Sequence, residues 1–389
     1  MNKGSFLATL KKNSMLVILI LVYLFFMILT KGSIFKPSSF TELINQNAYV
    51  YILGVGMLMC MLTGGNIDLS CGAFVCLLGA FGGVFMIING MNTGLSILLL
   101  LLIGILYGIV LGFLIAYINI PPWIATLAGF LAFRGLGTSI LSRNSKTGSL
   151  APFPVDFQNI FYGRVFPTEK GVLNWPCFLL GVAAALAVFL IVFLNRKNRL
   201  AKGYEADTVG RALLKAGLSD AAILLVMTKL AMDGGIPTTL LWVAGIVLIY
   251  SFITSKTTIG RHFYVVGGNM DAARLSGVNT RRIMFLAYLN MAVLTAIATF
   301  TVIARSQSAY ADVGKNFEMD AISACVVGGV SASGGAGSVL GMVIGATLIG
   351  IINLGMSLIS LDANYQRVVK GFVLLAAVVF DILSEKKNR

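Results

Sequence analysis

Charge is what this sequence has least of. Asp, Glu, Lys and Arg together make up 11% of the residues, against 58% apolar. A soluble domain carries about 25% charged residues, so this chain is too poor in charge to coat a water-facing surface. A surface covered by lipid needs no such coat. Histidine is nearly absent: His262 is the single one, which excludes His-based triads and His-rich metal clusters. It lies beside Arg261 in a basic stretch and reads as solvated. The five cysteines, Cys60, Cys71, Cys76, Cys177 and Cys325, form no C-x-x-C pair and read as small buried hydrophobes. There is no G-x4-G-K-[ST] phosphate loop, no H-E-x-x-H and no evident intramembrane carboxylate pair. The expectation is a chain with no catalytic residues, no metal site and no cofactor of its own.

What is present is apolar sequence long enough to cross a bilayer many times. A span needs about 20 residues. Candidate runs are 14–30, 45–63, 69–89, 95–118, 122–142, 174–194, 213–232, 238–255, 283–303, 337–359 and 365–384. A shorter Gly/Ala/Ser-rich piece, 319–332, is predicted as a half-helix or re-entrant segment, tolerated only where protein or a cavity surrounds it. The first run follows Lys3, Lys11 and Lys12 like a signal peptide, but no A-x-A site follows it, so it reads as an uncleaved span. The fold class expected is all-α: one polytopic transmembrane bundle over 1–389 with about 10–12 membrane segments.

The net charge of +14 does not point to nucleic acid, because Lys and Arg fall in short tracts between apolar runs, as topology-setting residues do. Arg196, Lys197, Arg199 and Lys202 mark one cytoplasmic loop. Lys256, Arg261, Arg274, Arg281 and Arg282 mark a second, and Lys386, Lys387 and Arg389 a cytoplasmic C-terminus. An even number of crossings puts both termini inside. The loop 143–173 strains this scheme: it should be external, yet holds Arg143, Lys146, Arg164 and Lys170.

Two stretches share a pattern. Asp68 precedes Gly82-Gly83 by the same spacing as Asp320 precedes Gly334-Gly335, and each is associated with a Gly-x3-Gly ladder, 104/108/112 and 337/341/345. The pattern suggests an internal repeat with halves near 45–142 and 319–384, as in many transporters. The ladders themselves predict close helix packing and no particular activity. Asp68, within Gly64-Gly65-Asn66-Ile67-Asp68-Leu69-Ser70, has two readings. It caps the next helix, as Ser70 also can, or it touches a transported solute. Trp123, after Pro121-Pro122, fits an interfacial belt better than a sugar platform.

The stretch 255–285 is the most informative. Asn269 is a good N-cap, Asp271 falls in the first turn and Arg274 in the last, and Gly277 is placed to close the helix. This predicts a two-turn helix between spans, with Thr280 capping the next one. So short a helix is marginal alone in water, so one this well capped is expected to dock on something.

The pattern Gly260-Arg261, Tyr264, Gly267-Gly268-Asn269, Ala272-Ala273, Ser276-Gly277-Val278 resembles the coupling loop of sugar-importing ABC transporter permeases, the family of ribose, galactose and xylose permeases. Gly64 to Ser70 resembles the family's G-G-x-I-D-L-S stretch, with Cys71-Gly72 where Val-Gly is usual. Ile124-Ala125-Thr126-Leu127, Arg134-Gly135, Glu318-x-Asp320-Ala321-Ile322, Val327-Gly328-Gly329, Gly334-Gly335 and Tyr365-Gln366 follow in order. The extra apolar run at 213–232 makes the chain look closer to the xylose branch. The resemblance implies type II importer architecture in a bacterial inner membrane. It implies a separate ATPase subunit that binds ATP and Mg and grips Gly267, Gly268, Asn269, Asp271, Ala272, Ala273, Arg274, Gly277 and Val278. It implies an extracytoplasmic sugar-binding protein and a second permease subunit, as a homodimer set in membrane lipid. Asn66, Asp68, Ser70, Thr126, Asp320, Tyr365 and Gln366 are the residues to test for contact with the pathway. An ion-driven secondary transporter, or an ABC permease for nucleosides or branched-chain amino acids, is the competing reading.

Overall fold

A computed structural model describes residues 14–204 and 208–388. Lys3, Lys11, Lys12 and Arg389, which enter the charge reading, lie outside the described residues. The fold is helical, as composition predicts. The helices are α1 Ser14–Leu29, α2 Pro37–Leu62, α3 Cys71–Gly83, α4 Thr93–Ala116, α5 Pro122–Asn144, α6 Val155–Tyr162, α7 Trp175–Ala201 and α8 Val209–Met232. They continue with α9 Thr238–Lys256, α10 Thr258–Gly268, α11 Met270–Leu275, α12 Thr280–Ser306, α13 Phe317–Val327, α14 Val339–Leu358 and α15 Ala363–Asn388. All eleven apolar runs fall on helices, and among the described residues eight helices, one of them α3 continued to Ile88, are long and apolar enough to cross a membrane.

Local chemistry sets the helix starts. Proline, which has no N–H to leave unsatisfied, opens α2 and α5 at Pro37 and Pro122. Asn92, Asn174, Thr208 and Ser338 cap α4, α7, α8 and α14 by accepting from backbone N–H groups. The polar residues Thr41, Glu42 and Asn45 conceal the true start of α2, which begins eight residues before the predicted run.

α2 is the axis of the fold. It is mostly buried and packs against α9, α12, α13 and α14, whereas α7 is mostly exposed and peripheral. The glycine ladders act as predicted. Gly104, Gly108 and Gly112 of α4 face Ala296, Ala292 and Phe285 of α12, where a Cβ on Gly108 would meet Ala292 at 3.0 Å. A Cβ on Gly345 of α14 would stand 2.0 Å from the Ala324 carbonyl of α13. The two glycine pairs of the sequence pattern differ in local structure: Gly82 and Gly83 lie within α3, while Gly334 and Gly335 have left-handed φ in a turn.

α13 has 11 residues and rises roughly 16 Å, half a bilayer, so the predicted half-helix is present. It is flanked by Asn316 at φ 65° and by the turn 328–338, which returns the chain to α14.

The two ends of the bundle are distinct. At one end α10 and α11 link α9 to α12. At the other, two short antiparallel pairs tie loops together: β1 (Ser149–Leu150) with β4 (Ala309–Tyr310), and β2 (Arg164–Val165) with β3 (Ile236–Pro237). The loop 145–174 contains α6, unforeseen in the sequence, whose Phe157 and Phe161 pack on Phe300. Two of the four basic residues that strain the orientation scheme are paired, which does not change a rule that counts positive charge. Arg164 and Lys170 both reach the carboxylate of Asp233, at 3.0 and 3.8 Å, beside the β3 turn.

Candidate functional site

The stretch between α9 and α12 forms two helices where the sequence predicts one. Thr257 caps the unpredicted α10 by accepting from the Gly260 N–H at 3.0 Å. Glycines at 260, 267 and 268 hide this helix from propensity reasoning. α11 is built as expected: the Asn269 side chain accepts from the Ala272 N–H at 2.9 Å. Asp271 occupies the first turn and Arg274 the last. Gly277, at φ 81°, closes the helix while the Val278 N–H donates to the Ala273 carbonyl at 3.0 Å. Ala273 is fully buried; Asp271, Ala272 and Arg274 face outward. Leu275 is 90% exposed, an apolar side chain held out by a capped helix. The cap of α12 is a correction: Asn279, not Thr280, accepts from the Arg282 N–H, and Thr280 is buried.

Glycine explains how this loop is seated. A Cβ on Gly267 would fall 1.7 Å from the Leu62 carbonyl oxygen at the end of α2. The same carbonyl accepts from the Gly335 N–H at 3.2 Å. A Cβ on Gly335 would lie 2.7 Å from the Gly268 nitrogen, one on Gly334 2.5 Å from the Gly64 Cα, and one on Gly65 2.0 Å from the Ala332 carbonyl oxygen. Three backbone segments therefore touch without intervening side chains: the end of α2, the end of α10 and the turn after α13. Only glycine permits such an approach. Gly268 is different, with open space where its side chain would be. Tyr264 fastens the joint by donating its hydroxyl to the Gly337 carbonyl at 3.1 Å, and burial of its ring pushes the phenol above its ordinary range.

The seven pathway candidates separate into groups. Asn66 donates to the Thr63 carbonyl at 2.9 Å and touches the Met284 sulfur. Asp68 accepts from the Ser70 N–H and hydroxyl at 2.8 and 2.5 Å, and the Ser70 hydroxyl meets that of Tyr107 at 2.6 Å. Asp68 thus holds the start of α3 through Ser70, whose own side chain makes no cap. Thr126 bonds within its own helix to the Pro122 carbonyl. Asp320 accepts from the Tyr49 hydroxyl at 2.6 Å and pairs with Lys370 of α15 at 2.9 Å. With Gln366, Ser323, Asn316 and Arg367, Asp320 and Lys370 line a cavity of about 310 Å³. Tyr365 is exposed and does not line it.

The expectation of no intramembrane carboxylate pair needs correcting, since Asp68, Glu318 and Asp320 are all buried. Glu318 lies against the first turn of α3, where a Cβ on Gly72 would meet its Oε2 at 2.1 Å, a place where a carboxylate complements the helix dipole. Tyr49, Tyr107 and Lys370 were not foreseen. Lys370 had a signal: a lone lysine in an apolar run is a functional residue by default. All five cysteines are free and buried, and the described residues hold no group of three or more His, Cys, Asp or Glu that could bind a metal.

Comparison with known proteins agrees with this arrangement. Residues 39–378 match the family described as "Branched-chain amino acid transport system / permease component". The xylose transport system permease protein XylH of Haemophilus influenzae is 32% identical over 374 residues, covering 96% of both chains. That of Escherichia coli K12 is 31% identical, covering 96% of this chain and 92% of its own. The ribose import permease protein RbsC of Bacillus subtilis is 33% identical over 349 residues, covering 90% of this chain and 86% of its own. No solved structure matches. With its bundle of spans and a family match over most of its length, the chain belongs to the branched-chain amino acid transport system permease family and is a polytopic membrane permease of the ABC type.

Proposed function

We propose that the chain is the membrane subunit of an importer for a monosaccharide, coupled to a separate ATPase through α10 and α11. The observation that carries the coupling reading is the glycine joint. A load on α11 passes to α10 and reaches the ends of α2 and of the 328–338 turn through backbone contacts alone. Leu275 then supplies an exposed apolar anchor, flanked by Asp271 and Arg274, for the ATPase surface. ATP and Mg belong to that partner. A sugar substrate is supported by the xylose and ribose permeases that align over nearly the whole chain. The family description supports a second reading, a branched-chain amino acid as the cargo.

The α10–α11 end, with Lys256, Arg261, Arg274, Arg281 and Arg282, is then cytoplasmic. The β-pair end is external and faces an extracytoplasmic binding protein. Crossing α1–α5, α7–α9 and α12–α15 in turn, with α13 as a half-length member, places both termini in the cytoplasm of a bacterium's inner membrane. A second copy of the chain completes the channel. The cavity around Asp320, Gln366 and Lys370 offers the polar contacts that a solute rich in hydroxyl groups requires on its way, with Asn66, Asp68 and Ser70 organising the helix start opposite.

Reconstitution of the permease with its ATPase and binding protein tests this. The double substitution Asp271→Lys with Arg274→Glu is expected to abolish ATP-driven uptake while leaving membrane insertion unchanged; normal uptake would end the coupling assignment. Uptake by the unaltered complex of radiolabelled leucine but of no pentose or hexose would replace the sugar reading with the second one.

A further inference from the structure

Between α1, α2, α8, α9 and α14 lies a partly open cavity of about 540 Å³, bounded by carbon almost throughout. Leu19, Leu43, Val226, Val243 and Ile351 mark its five walls. Every wall is a helix formed by one of the apolar runs, and one of them, α8, carries the run at 213–232 that makes the chain look closer to the xylose branch. Water gains little in such a space, because the hydroxyls of Tyr23, Tyr51 and Thr347 are the few polar groups on its walls. A hydrocarbon chain matches walls of that chemistry.

The cavity also has a polar end. Phe35 and Phe40 line it toward the β-pair end of the bundle. The Lys229 ammonium stands 3.8 Å from the centroid of the Phe35 ring, one helical turn beyond Val226 and Leu225. A cation at the rim of an apolar slot within the bilayer matches an acyl chain tethered to a phosphate.

We propose that this cavity holds one acyl chain of a phospholipid, with the lipid phosphate against Lys229. The lipid fills the space left between α8 and the α2–α14 core, adding to the direct packing of α8 on α2 and to its hairpin with α7. The proposal needs only that these helices span the membrane, and it stands apart from the choice of cargo and from coupling.

Two readouts test it, neither using ATP or a sugar. The first reconstitutes the unaltered chain with phosphatidylethanolamine and phosphatidylglycerol that include a trace of phospholipid carrying a diazirine in its acyl chain. After illumination, crosslinks are mapped by mass spectrometry. Labelling of the cavity walls on α1, α8 and α9 is expected; labelling confined to outward residues such as Leu186, Leu248 and Phe252 overturns the proposal. The second is native mass spectrometry of protein released from mild detergent. The unaltered chain is expected to retain one phospholipid per protomer. Val226→Trp and Val243→Phe, which fill the slot from two helices, are expected to lose most of it. Lys229→Met is expected to lower occupancy about fivefold, the worth of one cation near a lipid phosphate. Equal occupancy in the filled variants, or recovery of detergent alone, overturns the proposal. The crosslinking arm uses the unaltered chain, so it decides the matter even where a filled variant does not fold.

Discussion

The two ends of this permease differ in their side chains: one has almost none at its contacts, the other adds ion pairs to its backbone contacts. At the α10–α11 end, three turns touch backbone to backbone through Gly65, Gly267, Gly334 and Gly335. At the β-pair end, the backbone pairs β1–β4 and β2–β3 are supplemented by long charged side chains. Asp233 collects Arg164 and Lys170, and Glu42 meets Arg305 in a short ion pair. Backbone contacts have no rotamers to relax, so a displacement on one side is a displacement on the other. Ion pairs between flexible side chains can open and re-form at modest cost. On the proposed coupling, the first end transmits movement, while the second holds its loops together by β pairs and ion pairs.

The sharpest way to break this contrast is to add atoms to the joint. Gly267→Val forces carbon into the Leu62 carbonyl, and uptake should fall by about two orders of magnitude, since misplacement of about 1 Å remote from a reacting site can cost that much. Uptake within twofold of the parent, measured in vesicles at equal protein, would show that the joint does not transmit. At the other end, Asp233→Asn leaves the half-buried Arg164 without its charge partner. A loss of about 2 kcal/mol is expected, discounted from the fully buried case because Arg164 keeps some access to water. It should appear as a lower melting temperature in detergent, with transport per folded molecule little changed. Asn269→Ala removes the cap of α11, for about 1 kcal/mol, and should lower coupled uptake several-fold, with Asn269→Asp restoring it. The smallest effect belongs to Gly268→Ala. No atom occupies the space its methyl would fill, so uptake should be unaltered, and the contrast with Gly267→Val isolates the contact from general intolerance of glycine replacement.

Much of this architecture is legible in the sequence because lipid imposes a simple rule. Runs of apolar residues announced the spans, and Asn269, Asp271, Arg274 and Gly277 announced α11 through side chains that act within one turn. What remained hidden depends on residues distant in the chain. Gly267 shows that a side chain is missing but not that Leu62 and Gly335 fill the space. Lys370 stands out as an ionisable residue in an apolar run, yet its pairing with Asp320, which also accepts from the Tyr49 hydroxyl, joins α15 to α13 and α2 and has no local trace. α6 and the two β pairs were missed because they are short and draw their stability from packing, as Phe157 and Phe161 do on Phe300. The pairing of Arg164 with Asp233, more than sixty residues away, likewise has no local trace.

The Asp320–Lys370 pair has a consequence for biogenesis. Fifty residues separate the two charges. While the ribosome delivers α13, the lysine that neutralises Asp320 has not yet been made. A half-length helix carrying two carboxylates is a poor candidate to enter lipid by itself, because a lone carboxylate at depth costs about 3 kcal/mol even on the milder scales. The segment is therefore expected to wait at the translocon or in a protein-lined space until α15 arrives, and a ribosome stalled before Lys370 is expected to leave α13 outside the bilayer.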